Sequence, residues 1–294
     1  MNGKEIPKGI LIAIGGSEDK GLISKEGSTE KSPMYASAIL KKITSFLSSE
    51  KCRIEVITTA SDNPEIMRKT YQEAFASLGF SNLGFIHMES KEEADFLEYQ
   101  KRLRETEGVF FTGGSQTKLL NIYKESRFVK ELINIYYSKT VVISGTSAGA
   151  MVMPTLMIDV EAHFKLNTFI IKEGFSLIEN VIIDTHFSER GRFWRLAEAV
   201  AQNQKYLGLG MDENTAIVVR NGNDMEVIGS GLIAVIEGQH ISYFQSSGNG
   251  TRERLTIENI VSHILSQGDR YNIAERRILK KEPDRKKKRI SSKA

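Results

Sequence analysis

The sequence predicts an α/β fold with a mostly parallel central sheet and helices on both of its faces. Short apolar runs without polar alternation recur along the first half of the chain, which is typical of strands buried on both faces. Segments with helical spacing separate these runs and predict βαβ units with right-handed crossovers. The apolar share of 40% supports a buried core, and no Pro/Ser-rich linker divides the chain. We therefore expect one domain over residues 1–279 and a basic tail over residues 280–294.

The elements of the first half are expected to alternate regularly. The five predicted parallel strands are Gly9–Ile14, Arg53–Thr58, Leu83–His87, Gly108–Thr112 and Thr140–Ile143. The predicted helices run from Pro33 to about Glu50, from Asp62 to Leu78, over Lys91–Glu105, from Lys118 onward and over Glu125–Tyr137. Gly15 and Gly16 directly follow the first strand. Open α/β sheets bind ligands at such strand ends, so this glycine pair indicates the edge that carries the site.

The second half predicts an antiparallel extension of the sheet. Residues 153–174 are irregular and predict a short hairpin or an excursion over the sheet. A strand over Val181–Asp184 and a helix over Arg190–Asn203 are expected next. Four short β segments follow at Tyr206–Met211, Ala216–Val219, Glu226–Gly229 and Leu232–Glu237. The pair Asn221-Gly222 predicts a hairpin turn between two of them, and we expect a last helix over Leu255–Leu265.

Composition and charge limit the compartment and the partners. The formal net charge is only +3, which gives no global bias toward nucleic acid. The basic tail is interpreted as a solvated, disordered end in preference to a nucleic-acid or membrane-surface arm. A single cysteine, Cys52, allows no internal disulfide and fits a reducing compartment. The chain begins without a secretory signature and has no apolar run long enough to span a bilayer, so we expect a cytoplasmic protein with no membrane partner.

The segment around Ser147 carries the strongest chemical signal. The β-branched run Val141–Ile143 leads into Gly145–Gly149, which reads Gly-Thr-Ser-Ala-Gly. This pattern is typical of a nucleophile elbow, where a serine lies at a sharp turn from a buried strand into a helix. The N–H groups and the positive dipole end of that helix would face an oxyanion. The alternative is an ordinary strand-to-helix loop with Ser147 as the N-cap.

A serine nucleophile needs a base, and the sequence has five histidines. His186 is the best candidate, because it directly follows an apolar strand and so lies at the same edge of the sheet as Ser147. Weaker candidates, in irregular, surface or isolated positions, are His87, His163, His240 and His263.

The carboxylate that orients the base is expected at another strand end. Asp212 and Glu213 both follow the apolar strand that ends near Met211. Adjacent residues of an extended chain point in opposite directions, so only one of the two can face His186, and composition leaves the choice open. The order Ser147, His186, acid also differs from the Ser, acid, His order of α/β-hydrolases, so a different α/β scaffold is expected.

Three arginines follow His186 closely, at positions 190, 192 and 195. Guanidinium groups bind carboxylates through two parallel hydrogen bonds, so arginines beside a nucleophile predict an acidic substrate. The alternative is a solvated helix face, because Arg192 and Arg195 are one helical turn apart.

Taken together, these residues resemble the cyanophycinases in the cyanophycinase and dipeptidase E group of serine peptidases. The resemblance extends over roughly residues 9–245. Five blocks carry it, in this order: Ala13–Lys20, Phe111–Gln116, Gly145–Ala150, Asp184–Phe187 with the three arginines, and Gly210–Ala216. The group has a fold like that of class I glutamine amidotransferases, with a serine where those enzymes place a cysteine. The resemblance therefore implies this scaffold here.

The resemblance also implies a role for each matching residue. Ser147 corresponds to the nucleophile, His186 to the base and Glu213 to the third member of the triad. The backbone N–H groups of Gly114 and Ala148 would line an oxyanion hole. The substrate-binding positions that it implies are Gln116, Asp184, Thr185, Arg190, Arg192 and Arg195.

Cyanophycinases cleave cyanophycin, a poly-aspartate with arginine on each side chain, into β-Asp-Arg dipeptides; they need no metal or organic cofactor and are usually dimers. The resemblance thus implies a homodimeric serine exopeptidase acting on cyanophycin without a cofactor. Thr185 stands where many members have glutamine, and Ser115 where asparagine is common. An aspartyl or isoaspartyl dipeptidase therefore stays open as an alternative, and so does a non-catalytic binding protein on the same scaffold.

Overall fold

The computed structural model describes residues 5–22, 37–160, 169–246 and 255–279. The predicted basic tail over 280–294, the start of the helix predicted from Pro33, and His163 lie outside these ranges.

Strands and helices alternate through the first half, as the sequence predicts. The strands described are β1 Ile10–Ile14, β2 Ile54–Ile57, β3 Leu83–Ile86, β4 Gly108–Phe111, β5 Val142–Thr146, β6 Pro154–Asp159, β7 Ile170–Glu173, β8 Ile178–Thr185, β9 Leu207–Met211, β10 Thr215–Arg220, β11 Asp224–Gly229, β12 Ile233–Glu237, β13 Tyr243–Ser246, β14 Leu255–Glu258, β15 Val261–Leu265, β16 Arg270–Asn272 and β17 Arg277–Leu279. The α-helices described are α1 Ala38–Thr44, α2 Pro64–Ala76, α3 Leu97–Glu105, α4 Gln116–Tyr123, α5 Arg127–Ser138, α6 Ala148–Met151 and α7 Phe193–Gln202.

A nine-stranded central sheet has the order β17-β16-β11-β10-β1-β5-β4-β2-β3. The five strands from β1 to β3 are parallel, and β10, β11, β16 and β17 extend the sheet in antiparallel fashion. Alternate residues of β1 enter two different cores, with Ile12 and Ile14 facing α1 and α2, and Leu11 and Ala13 facing α4 to α6. The predicted α/β class, with helices on both faces of a mostly parallel sheet, is confirmed.

A second, six-stranded sheet has the order β15-β12-β9-β8-β6-β7. The predicted antiparallel extension of the central sheet is confirmed for β10 and β11 and is wrong for β8, β9 and β12, which belong to this second sheet. Helix α7 covers β9, where a Cβ on Gly208 would lie 2.8 Å from Val200 Cγ2 and 2.9 Å from Leu196 Cγ. The close fit of α7 on a glycine-containing strand favours a separate layer. An apolar strand pattern alone does not say which sheet a strand joins.

Several predicted boundaries change for local reasons. Leu255–Leu265 forms strands β14 and β15 instead of a helix, because β-branched residues dominate the segment and Asn259 adopts a left-handed turn conformation with φ 61°. Phe96 is extended, with ψ 132°, and splits the helix predicted over Lys91–Glu105 into a 3-10 turn and α3. Helix α1 ends at Thr44 rather than near Glu50.

The irregular segment over 153–174 contains an antiparallel pair, β6 with β7. This pair agrees with the hairpin, one of the two alternatives predicted there, and the residues between the two strands, 161–168, lie outside the described ranges. None of the helices described combines the length and the apolar character that a membrane-crossing segment requires.

Candidate active site

Ser147 lies at a sharp turn between β5 and α6. Its backbone has φ 52° and ψ −113°, a conformation that non-glycine residues rarely adopt. The turn depends on small flanking residues, since a Cβ on Gly145 would lie 2.5 Å from the carbonyl oxygen of Gly149, and one on Gly149 would lie 2.6 Å from that of Phe111. The Ser147 side chain makes no capping hydrogen bond, so the N-cap alternative fails. Helix α6 has only four residues, so the partial positive charge that its dipole places at the N-terminus is smaller than that of a longer helix.

The structure brings the predicted serine, histidine and glutamate together. Ser147 Oγ lies 2.9 Å from His186 Nε2, and His186 Nδ1 lies 2.6 Å from Glu213 Oε1. An ionised carboxylate only accepts hydrogen bonds, so Nδ1–H donates to Glu213. Nε2 is then free to accept the proton of the Ser147 hydroxyl. This is the arrangement that an activated serine requires.

The end of β1 and the loop that follows it hold Ser147 and His186 in place. The backbone N–H of Ser147 donates to the carbonyl of Ile14 at 3.0 Å, and that of His186 to Gly15 at 2.8 Å. Gly16 has φ 106°, and a Cβ there would lie 2.4 Å from Cε1 of the His186 ring. The glycine pair at this strand end thus makes room for the imidazole, a role that the sequence analysis did not anticipate.

The adjacent carboxylates of Asp212 and Glu213 have different hydrogen-bond partners. Asp212 is buried and accepts backbone N–H groups of Ser188 and Leu232, both at 3.1 Å, which fastens two loops beside the site. Glu213 faces His186. Partial burial raises the pKa of Glu213, but hydrogen bonds from His186 and Ser17 and the nearby charges of His186 and Arg190 outweigh this effect, so its pKa lies below the usual value. The carboxylate therefore stays ionised and acts as an acceptor.

The arginines are arranged differently from the expectation. Arg195 is buried and binds Asp184 twice, Nε to Oδ2 at 2.8 Å and Nη2 to Oδ1 at 2.5 Å. Arg192 donates to the same carboxylate at 3.3 Å and to the carbonyl of Thr185 at 2.7 Å. Burial lowers the pKa of Arg192 to about 10, with the charge of Asp184 opposing the shift and that of Arg195 adding to it. The solvated-face alternative is therefore wrong for Arg195.

Direct substrate contact by Asp184, Thr185 and Arg195 does not fit this geometry. Asp184 and Thr185 have no exposed surface. Arg195 is buried, and its Nε and Nη2 both donate to the carboxylate of Asp184. We revise their expected role to positioning the loop between β8 and α7. Arg190 remains exposed enough to meet a substrate, and its charge acts on Glu213. Asp184 thus pairs with Arg192 and Arg195, while Arg190 lies exposed beside the triad.

The opposite side of the serine is formed by the turn after β4. A Cβ on Gly113 would lie 3.5 Å from Ser147 Cβ, so the turn is adjacent to the nucleophile. Gly114 has φ 143°, and a Cβ there would lie 2.0 Å from the carbonyl oxygen of Ala60, so only glycine fits. Ala148 is the first residue of α6, and its N–H therefore has no acceptor within the helix. Ser115 caps α4 by accepting the N–H of Lys118 at 3.2 Å.

Gln116, the remaining substrate-binding candidate, is the half-buried first residue of α4, next to this turn. Sequence reasoning missed Glu18, which is buried two residues beyond Gly16 and contacts the residue before the serine. An acidic residue in a glycine-containing turn directly after the first strand was the available signal. Among the residues described, no cluster of histidine, cysteine, aspartate or glutamate is arranged to hold a metal ion.

Comparison with known proteins identifies the family of the chain. The model of peptidase family S51 matches residues 22–227. The chain is similar to a cyanophycinase of Trichormus variabilis, with 28% identity over 95% of this chain and 90% of the relative. It is equally similar to a cyanophycinase of Geminocystis herdmanii, with 28% identity over 92% of this chain and 95% of the relative.

Among solved structures, a peptidase from an acI-B1 Actinobacterium aligns with a TM-score of 0.64 at 21% identity. The alignment covers 92% of this chain and all of that one. This likeness concerns the fold, and it confirms the scaffold like that of class I glutamine amidotransferases.

Proposed function

The chain belongs to peptidase family S51 and is a serine-type peptidase, and from this premise we propose that it hydrolyses the poly-aspartate backbone of cyanophycin to β-Asp-Arg dipeptides through an acyl-enzyme. The observation that carries the proposed mechanism is the continuous hydrogen-bonded chain from Ser147 through His186 to Glu213. The similarity to cyanophycinases over more than nine-tenths of the chain supports the choice of substrate.

In the proposed acylation step, Ser147 Oγ bonds to the carbonyl carbon of an aspartyl residue while its proton passes to His186 Nε2. The N–H groups of Gly114 and Ala148 would stabilise the oxyanion. The C–N bond then breaks, and His186 gives the proton to the departing amine. In deacylation, water adds to the ester carbon and loses a proton to His186. The bond between that carbon and Ser147 Oγ then breaks, and His186 returns the proton to Oγ. Glu213 keeps the imidazole in the tautomer that accepts this proton and stabilises the imidazolium.

The exposed guanidinium of Arg190 beside the triad supports an acidic substrate group. Asp184 neutralises part of the charge of Arg192 and Arg195, and Arg190 is left on the exposed side. We propose that Arg190 attracts the aspartate carboxylates of the substrate, with Gln116 as a second polar contact across the serine. Arg192 and Arg195 would hold the loop that carries Arg190.

A second candidate is an aspartyl or isoaspartyl dipeptidase with the same chemistry. Thr185 favours this alternative, because a fully buried threonine cannot present an amide to the substrate as glutamine would at that position. A non-catalytic binding protein is disfavoured, because a binding module has no need of a serine that is hydrogen-bonded to an oriented histidine. We further propose a homodimer, which sedimentation equilibrium of the full chain would test.

The substrate is tested by incubating the purified chain with cyanophycin and, separately, with a panel of Asp-x and isoaspartyl dipeptides. We expect soluble β-Asp-Arg from cyanophycin, and a loss of activity by about three or more powers of ten in Ser147→Ala. Cleavage of the dipeptides alone would favour the second candidate. Undiminished hydrolysis by Ser147→Ala would refute the mechanism for every substrate.

A further inference from the structure

Glu18 is a buried carboxylate beside the nucleophile turn, and the mechanism above does not use it. Only 3% of the residue is exposed. It follows Ser17, which hydrogen-bonds to Glu213, and Gly16, which lies against the His186 ring. Burying an ionised carboxylate is costly unless charged and hydrogen-bonding partners surround it, so its partners are informative.

Both oxygens of Glu18 are engaged, and the partners come from three segments. Oε2 accepts the hydroxyl of Thr146 at 2.5 Å. Oε1 accepts the hydroxyl of Tyr71 on α2 at 2.5 Å and lies 3.2 Å from Nζ of Lys20. Burial and the neighbouring carboxylate raise the pKa of Tyr71 well above its usual value, so this phenol donates. Lys20 also lies over the Tyr71 ring, 5.4 Å from its centroid.

Thr146 is the residue immediately before Ser147 and ends β5. The hydrogen bond from Thr146 therefore ties the strained turn to the loop of residues 14–18, which supports His186 through Gly15 and Gly16. Ser147 and His186 are 39 residues apart in the chain, so their separation depends on such cross-links. A misplacement of about 1 Å in a reacting group can lower a rate by about a hundredfold.

We propose that Glu18 is a positioning residue of the peptidase, whose carboxylate fastens the loop after β1 to Thr146 and holds Ser147 and His186 at reacting distance. The inference rests on the proposed role of Ser147 as the nucleophile. It predicts that loss of the carboxylate slows the chemical step while reagent and substrate binding change little.

The test measures phosphonylation of Ser147 by a fluorophosphonate, in which an Oγ–P bond forms and fluoride leaves. The kinetics are resolved into the maximal rate of phosphonylation and the reagent concentration that gives half of that rate. Glu18→Gln leaves one of the two hydroxyls without an acceptor and removes the negative charge that pairs with Lys20. We expect its maximal rate to fall by about tenfold or more, with the half-maximal concentration within about threefold of the wild type.

Glu55→Gln is the matched control. Glu55 lies on β2, is equally buried, and pairs with Arg53 and with Arg102 of α3. Among the described residues, none of its hydrogen bonds or ion pairs reaches residues 14–18 or the serine turn. We expect this variant to lose stability and keep the wild-type phosphonylation rate. Equal slowing in Glu55→Gln would overturn the inference, because a general loss of stability would then explain the effect.

Substitutions at Thr146 test the same hydrogen bond independently, and they remain usable if Glu18→Gln folds poorly. Thr146→Val removes the hydroxyl at constant shape and should slow phosphonylation of Ser147, whereas Thr146→Ser keeps the hydroxyl and should retain the wild-type rate. Wild-type maximal rates in both Glu18→Gln and Thr146→Val would overturn the inference while leaving the proposed function intact. Labelling of Ser147→Ala at the wild-type rate would instead refute the proposed function.

Discussion

At Gly16 the main chain passes directly against the imidazole of His186. A Cβ there would lie 2.4 Å from Cε1 and 2.5 Å from Nε2, closer than real Cβ contacts. Glycine also suits the backbone, because φ at this position is 106°. The absence of a side chain at Gly16 is therefore a condition for the position of the ring, and the ring carries the atom that faces Ser147.

We expect Gly16→Ala to displace the His186 ring and lower kcat for peptide hydrolysis by about a hundredfold or more. Gly222→Ala is the control, because Gly222 also has a positive φ, 72°, but a Cβ there would meet nothing closer than 3.5 Å. Both variants carry backbone strain, and only the first carries the clash. Similar kcat values for the two variants would show that the contact with His186 is unimportant.

The catalytic role of a residue could be predicted from the sequence where a short local pattern marks it. Ser147 follows from the Gly-x-Ser-x-Gly pattern and His186 from its place after an apolar strand. Composition left the choice between Asp212 and Glu213 open, and only the family resemblance implied Glu213. The choice depends on which side chain meets the loops at Ser188 and Leu232, which lie 24 and 20 residues from Asp212 in the chain. The pairing of Asp184 with Arg195 was missed because a charged residue in a sequence carries no sign of its burial.

Helices α4 and α5 each bury a tyrosine, and the two hydroxyls differ in their partners. The hydroxyl of Tyr123 on α4 lies 2.7 Å from Thr59 Oγ1. The hydroxyl of Tyr136 on α5 is buried, and it meets no hydrogen-bonding atom in the described part of the chain. Both rings are fully buried, so the contribution of one hydrogen bond can be isolated.

We expect Tyr123→Phe to lower the free energy of unfolding by about 1 kcal/mol, and Tyr136→Phe to leave it unchanged or raise it slightly. Removing the hydroxyl of Tyr136 breaks no hydrogen bond among the described residues, because this hydroxyl has no partner there. Urea unfolding followed by circular dichroism gives both values under identical conditions. A loss in Tyr136→Phe as large as that in Tyr123→Phe would contradict the assignment.

Strands and helices were predicted correctly where the hydrophobic periodicity of a segment and its length indicated the same type of element. The continuous apolar runs at β1, β4 and the start of β5 identified parallel strands correctly, because strands buried on both faces are rich in apolar residues. Leu255–Leu265 was predicted as a helix, and the β-branched residues and the turn at Asn259 give two strands instead. In that segment local β preference and the available partner strand outweighed the expected helix.

The whole molecule places the site where two sheets meet. Strands β1 and β5 of the central sheet and β8 and β9 of the second sheet all end at the same edge. Ser147 follows β5, His186 follows β8 and Glu213 lies just beyond β9. The sequence predicted the shared edge, because strand ends mark it. It did not predict the second sheet, because strand pairing between distant segments leaves no local pattern.

The central claim is that Ser147 is a nucleophile activated by His186. The most direct measurement is mass spectrometry of the full chain after reaction with a fluorophosphonate, with the adduct mapped to a peptide. We expect one adduct, on Ser147 in the wild type, and labelling slowed by several powers of ten in His186→Ala. An adduct on another residue, or equal labelling rates with and without the imidazole, would contradict the account.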